Sequence, residues 1–321
     1  MTSSSRNWSS TVSFETHEST GSRRAPLRSL LFVPAAETEW LTGTGAFGAD
    51  AAILDLTDPS VPGEDKPTAL ARVVEALVRR GEAGDSGGAA LFVRINPLDA
   101  WSSVEELRAV ARPGLAGLVL PKVQFEQEMR TADRLLTRCE HEQGLPVGGI
   151  ALVPLLDTAR SLGDVRRILG AASRIAYTGP VITPGSELER TLGRRKSSRA
   201  AEAHALRARV LREIRGAGAA HPVTGVWSGV EDLSGLRRFA EQNRSLGYAG
   251  MLTAHPSHVP VINEVFSPEA GELARAERLI AAVREGQAQG AGAVTFEGRM
   301  VDEAMAANAQ RIIRRHRRRS Q

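Results

Sequence analysis

Arg28-Ser-Leu-Leu-Phe-Val-Pro34 and Ala51-Ala-Ile-Leu-Asp-Leu-Thr-Asp58 read as two short apolar runs, each closed by turn-forming residues. Near-continuous apolar runs of this length suit parallel strands buried on both faces. The second run delivers Asp55 and Asp58 at its C-terminal end, where parallel barrels carry their active sites. Working outward from this pair, similar runs recur at 90–95, 117–120, 150–155, 174–178, 223–226 and 250–253. Between them, apolar residues recur every three or four positions over 64–80, 103–111, 125–139, 161–171, 199–216 and 230–246, which is helical spacing. Eight strand-like runs alternating with helices predict a (β/α)8 TIM barrel over 26–285. An open doubly wound sheet is the alternative, but no G-x-G-x-x-G follows the first run.

Two stretches break the repeat. Residues 179–196 hold Pro180, Pro184, Gly185 and Gly193, a loop long enough to be functional. A Gly-rich link at 286–292 leads to Val294-Thr-Phe-Glu-Gly-Arg-Met-Val-Asp302 and a last helix over 303–315. Residues 286–321 are expected to form a C-terminal helical lid or arm, and residues 1–25, rich in Ser and Thr, a disordered leader.

The 321 residues are 42% hydrophobic and 24% charged, an ordinary globular composition. The net charge is +4, but Arg311, Arg314, Arg315, Arg317, Arg318 and Arg319 crowd the C-terminus. Without those six the chain carries −2, so the basic character belongs to a tail and gives no reason to expect nucleic acid as a partner. Cys139 is the only cysteine, which excludes a disulfide framework and a thiolate metal cluster. No apolar run approaches the roughly 20 residues of a membrane span. The leader lacks the apolar segment of a secretory signal, so the expected location is the cytoplasm.

Polar residues gather where the strands end. Asp55 and Asp58 close the second run, Arg94 and Asn96 the third, Lys122 follows the fourth and Asp157 the fifth. Acids with one Arg and one Lys suit an anionic substrate bridged to a hard cation. Mg2+ takes one or two carboxylates plus substrate oxygens and water, and Arg binds a carboxylate through two parallel hydrogen bonds. His221, His255 and His258 lack the spacing of a metal site on one helix face, and no serine lies in a nucleophile elbow.

The blocks R-S-L-L-F-V-P, G-A-D-A-A-I-L-D-L, V-R-I-N-P, G-L-V-L-P-K-V, P-L-L-D-T-A-R, H-P-S-H-V-P-V-I-N-E-V-F-S-P and G-A-G-A-V-T-F-E-G-R-M-V-D occur in this order over nearly the whole chain from Arg28. In them the chain resembles the citrate lyase β-subunit family of the HpcH/HpaI aldolases. The resemblance implies a (β/α)8 barrel, often trimeric, that uses Mg2+ to make or break a carbon–carbon bond in malyl, citramalyl or citryl thioesters. CoA would then arrive as part of the substrate thioester. Arg94 matches the arginine that holds the substrate carboxylate or keto acid. Asp157 stands where the family has a Mg2+-binding Glu. Asp302 matches an acid/base residue that reaches a neighbouring subunit's site, and Asp58 is retained near the metal. Arg28, Asn96, Lys122 and Arg160 are further substrate-binding candidates.

The chain also departs from the pattern. Thr183 and Pro184 fall where the family has Glu and a second Mg2+ ligand, Asp; Glu187 or Glu189, on the same loop, is the candidate replacement. Thr57 replaces the Glu of L-D-L-E-D. Three readings follow: a Mg2+-assisted carbon–carbon lyase, a repurposed enzyme such as a thioesterase, and a non-catalytic barrel subunit.

Overall fold

The computed structural model of the chain describes residues 24–37, 46–57, 65–84, 88–182, 186–192 and 200–317. The leader up to residue 23, Asp58, Thr183 and Pro184 lie outside them, as does the side chain of Glu187. Strands β1 (Ser29–Pro34), β2 (Ala51–Asp55), β3 (Ala90–Arg94), β4 (Leu115–Leu120), β5 (Ala151–Leu156), β6 (Tyr177–Pro180), β7 (His221–Thr224) and β8 (Gly250–Thr253) close into a parallel barrel, with β8 pairing back onto β1. This is the (β/α)8 architecture expected from the eight runs.

Side chains alternate across each strand, as a period of two requires. Leu30, Ala51, Ile53, Phe92, Val119, Val153 and Leu252 fill the barrel. Their neighbours Leu31, Val33, Ala52, Leu54, Val93 and Leu118 pack outward on the helices. Burying each such Leu, Ile or Val contributes roughly 1.5–3 kcal/mol. Gly179 lets β6 and β7 approach, since a Cβ there would lie 1.6 Å from the Val223 carbonyl oxygen.

The surrounding helices are α1 (Lys66–Ala83), α2 (Ser103–Val110), α3 (Glu126–Glu142), α4 (Ala159–Gly163), α5 (Val165–Leu169), α6 (Glu187–Thr191), α7 (Ala200–Gly216), α8 (Leu233–Leu246) and α9 (Val259–Phe266). The single helix expected over 161–171 is two, because Asp164 is non-helical (φ −118°, ψ 22°) and caps both. The sixth strand starts three residues later than its apolar run. The run already touches β5 before that, through the Leu152 N–H on the Arg174 carbonyl at 3.2 Å, and the Arg174 guanidinium, 3% exposed, binds Asp133 at 2.6 Å and the fully buried Glu140 at 2.8 Å.

The N-terminal end of the barrel is closed by the chain's own entry segment. Tyr177 Oη donates to the Ala25 carbonyl at 2.6 Å and His221 Nε2 to that of Arg24 at 2.7 Å. The Arg24 guanidinium donates to the carbonyls of Gly148 and Gly149. Arg24 and Ala25, expected in the leader, therefore belong to the folded body.

After β8 and α9 the chain forms a separate arm. Helix α10 (Ala270–Ala288), strands β9 (Ala293–Phe296) and β10 (Arg299–Asp302) and helix α11 (Glu303–Arg317) share an apolar core of Ala276, Leu279, Ile280, Val283, Val301 and Ala306. Helix α10, which precedes residue 286, buries its apolar face here. The hairpin turns at Glu297 (φ 48°) and Gly298 (φ 74°), the two positive φ values of a type I′ turn.

Candidate active site

The inward positions of β2, β3 and β5 end at one mouth of the barrel, and the residues there are Asp55, Arg94 and Asp157. Asp55 and Arg94 are register partners on adjacent strands. Arg94 Nε donates to Asp55 Oδ1 at 2.8 Å and Nη2 donates to Oδ2, a bidentate pair. Thr57 adds its backbone N–H and hydroxyl to Asp55 Oδ1 at 2.9 and 2.8 Å. Asp55 is only 5% exposed, so its charge depends on these partners. The Arg94 guanidinium also stacks 4.4 Å from the Phe32 ring centroid. Asp55 takes two of its five N–H donors, which leaves three for an anion at the mouth.

Asp157 follows β5. Its Oδ1 accepts the Lys122 backbone N–H at 2.9 Å. Burial pushes its carboxyl up to about 6, against the lowering effect of backbone N–H groups and of the Arg94 and Lys122 charges. Lys122 holds φ 53°, a left-handed conformation that costs a non-glycine residue roughly 1–2 kcal/mol. That conformation is what aims its N–H at Asp157. Arg160, in the first turn of α4, lies over the exposed Phe125 ring at 4.5 Å, on the rim beside Asp157.

The other expected site residues are placed differently. Arg28 precedes β1 and so sits at the opposite end of the barrel. Six residues of strand, about 20 Å, separate it from the mouth. It binds Asp50 through its backbone N–H and guanidinium, and Ser267 through Nη1 at 3.0 Å. Arg28 therefore fastens the barrel's closed end and is withdrawn as a substrate ligand. Asn96 is turned away onto Glu106: its Nδ2 donates to Oε1 at 2.7 Å and its backbone N–H to Oε2 at 2.8 Å. Its side chain anchors the β3 loop to α2 and does not join the Arg94–Asp157 group. Asp302 ends β10 on the arm, where its Oδ1 accepts the Met305 N–H at 3.0 Å and caps α11. Glu187 opens α6.

Sequence reasoning missed the Asp55–Arg94 pair and the Phe32 and Phe125 platforms. The signal was present for two of them: Phe32 and Asp55 fall on the inward parity of their strands, as Arg94 does.

A hard cation takes oxygen donors of the kind that Asp157 offers at the mouth. Among the described residues no three His, Cys, Asp or Glu side chains form a ready-made metal cluster. No described helix is long and apolar enough to cross a membrane.

Comparison with known proteins places the chain among relatives. The profile of the HpcH/HpaI aldolase/citrate lyase family matches residues 28–256. The chain is 31% identical over 290 residues to the citrate lyase subunit beta-like protein of Deinococcus radiodurans, covering 90% of this chain and 97% of that one. It is 30% identical over 306 residues to the L-malyl-CoA/beta-methylmalyl-CoA lyase of Cereibacter sphaeroides, covering 90% and 94%. The crystal structure of CitE from Mycobacterium tuberculosis, in complex with magnesium, acetoacetate and coenzyme A, aligns with a TM-score of 0.69 at 26% identity, over 92% of this chain and 99% of that one.

Proposed function

The chain belongs to the HpcH/HpaI aldolase/citrate lyase family, and on that premise we propose that it cleaves a carbon–carbon bond in a carboxylated acyl thioester of the malyl, citramalyl or citryl kind, or forms that bond in reverse. The observation that carries this reading is that Arg94, with three N–H donors not taken by Asp55, and the Asp157 carboxyl stand at the same barrel mouth.

Arg94 holds the substrate carboxylate through its remaining donors, and Asp55 and Phe32 keep its guanidinium from turning. Asp157 holds Mg2+, with the Glu187 carboxylate as the candidate second ligand. Bound Mg2+ supplies polarisation of the substrate carbonyl and neutralises enolate charge. The substrate hydroxyl loses its proton, the carbon–carbon electron pair moves to the thioester side, and a 2-oxo acid is released. The enolate then takes a proton at carbon. Lys122 and Arg160 line the rim on which the anionic remainder of the thioester lies.

In this reading Asp302 moves the proton, and it comes from the arm of a second copy in a homo-oligomer, a trimer by family analogy. The arm supports this: its core is its own, and it leaves Met300 79% and Met305 41% exposed on either side of Asp302. CoA enters as the substrate's thioester carrier, and the reaction is placed in the cytoplasm.

The test is a product-resolved assay with malyl-CoA and citramalyl-CoA, with Mg2+ and with excess EDTA. The expected result is acetyl-CoA plus a 2-oxo acid, lost with EDTA. Free CoA with the carbon–carbon bond intact would overturn the lyase reading in favour of a thioesterase. No turnover with either thioester would favour a non-catalytic barrel.

A further inference from the structure

On the flank of the barrel, α4 and α5 meet the C-terminal half of α7 around a cavity of about 310 Å3. It lies toward the end of the barrel opposite the Arg94–Asp157 mouth. Helix α7 ends at Gly216, where a Cβ would lie 3.0 Å from Arg166 Nη2, and the chain then enters β7 at His221. Three arginines line the cavity, Arg166 and Arg167 from α5 and Arg209 from α7, together with Asp164 and Glu213. Both acids are already matched. Glu213 accepts from Arg166 Nε at 2.7 Å and from Arg212 Nη2 at 3.2 Å, and Asp164 faces Arg160 Nη2 at 3.9 Å. Arg167 gives its Nε–H to Glu126 on α3 at 2.8 Å. Arg209 is exposed and, among the described residues, has no hydrogen bond or ion pair.

The cavity thus holds more cationic than anionic groups, and like charges held this close repel one another. Arg166 and Arg167 spend only Nε on their acids, so their terminal N–H groups remain for an anion, as does the whole fork of Arg209. A carboxylate carries one charge and is matched by a single guanidinium. A phosphate group carries about two charges and three acceptor oxygens, and can accept from several arginines at once. We propose that this cavity binds the phosphate group of a small phosphorylated anion, through Arg209 and the terminal N–H groups of Arg166 and Arg167. The site is separate from the carbon–carbon chemistry, since neither Arg94 nor Asp157 lines it.

The test is isothermal titration of the full chain with inorganic pyrophosphate and with ADP. EDTA is present and ionic strength is held constant, so that neither metal nor screening enters. Pyrophosphate is expected to bind, and Arg209→Ala to weaken it about tenfold, the effect of losing a charge-assisted hydrogen bond. Arg209→Lys keeps the charge but not the planar fork, and should weaken it less. Because Arg209 has no described partner, both variants should melt at the wild-type temperature. Pyrophosphate should raise that temperature in the wild type and by less in Arg209→Ala. ADP binding with the same dependence on Arg209 upholds the site and identifies a phosphate borne on a nucleotide. Binding of pyrophosphate alone upholds it and identifies a free polyphosphate. If neither anion binds, the proposal is overturned. It is overturned equally by an affinity that is the same in wild type and Arg209→Ala, which would place the anion elsewhere on the chain.

Discussion

At the scale of single residues, Arg94 and Asp157 are under opposite pressures. Arg94 is stabilised where it stands by a buried counter-charge, so its removal has two separable effects. Arg94→Ala is expected to lower kcat/KM by about two to three orders of magnitude, since truncating one side of a hydrogen-bonded charge contact costs about 2–5 kcal/mol. It also leaves Asp55 buried and unpaired, a loss of roughly 3–5 kcal/mol in folding stability. Pairing the steady-state assay with urea denaturation separates the two, and full activity in a destabilised Arg94→Ala protein would sink the carboxylate-anchor role. Asp157 is held above its ordinary value, from 3.8 to about 6, by burial. The folded chain therefore binds more protons than the unfolded chain between those values. The stabilising contribution is full below 3.8 and is lost as pH rises through about 6. Without metal, the melting temperature is expected to fall as pH climbs across this window, and Asp157→Asn to flatten that fall. Because Mg2+ competes with the proton, its affinity should rise with pH and level off above about 6. A Mg2+ titration that does not change between pH 5 and 7.5 would remove Asp157 from the metal site.

At the scale of elements, the contacts between strands fix the mouth, and β6 is the most constrained. Gly179→Ala would drive a methyl into the Val223 carbonyl and force β6 from β7. A loss of roughly 3 kcal/mol or more is expected in thermal or chemical denaturation, toward the upper end of overpacking effects. A neutral result would mean that the sheet yields there more easily than a closed barrel allows. The same strands show what a sequence discloses. All eight apolar runs became strands, because burial on both faces leaves a signature that needs no partner to be read. The sixth run also carries a buried ion pair between Arg174 and Glu140, a contact 34 residues distant that no local pattern records. Helix α9 was missed because Pro256 and Pro260 resemble a loop, although Pro260 stands in a first helical turn where its absent N–H costs nothing. Arg28 was misplaced for a directional reason. It belongs to the most distinctive motif in the chain, but it enters β1 instead of leaving it, and only the strand's polarity decides which end of the barrel it serves. The positions of Arg94 and Asp157 at the mouth were legible because each stands at the C-terminal end of an apolar run. The Asp55–Arg94 pair needed the register between strands.

At the scale of the whole molecule, the barrel and the arm divide the proposed chemistry between them. Arg94 and Asp157 belong to the barrel, whereas Asp302 sits on an arm whose core contains no barrel residue. If the arm serves its own barrel, one chain carries a complete site, and two variants that are each inactive stay inactive when mixed. If it serves a neighbour, a barrel spoiled by Arg94→Ala still lends a sound arm, and a chain spoiled by Asp302→Ala still offers a sound barrel. Co-expressing the two variants in equal amounts should then rebuild a site wherever an Asp302→Ala barrel meets an Arg94→Ala arm. In a closed cyclic oligomer with random assembly that is about one site in four, so about a quarter of wild-type activity is expected. Each variant alone should stay at background, and Met300→Asp on the exposed face beside Asp302 should lower the recovered activity together with the oligomer mass measured by light scattering. Background activity in the co-expressed mixture, with a mixed oligomer verified by mass, would assign Asp302 to its own chain or remove it from the reaction. A quarter of the activity recovered would make the oligomer, and not the single barrel, the unit that carries out the chemistry.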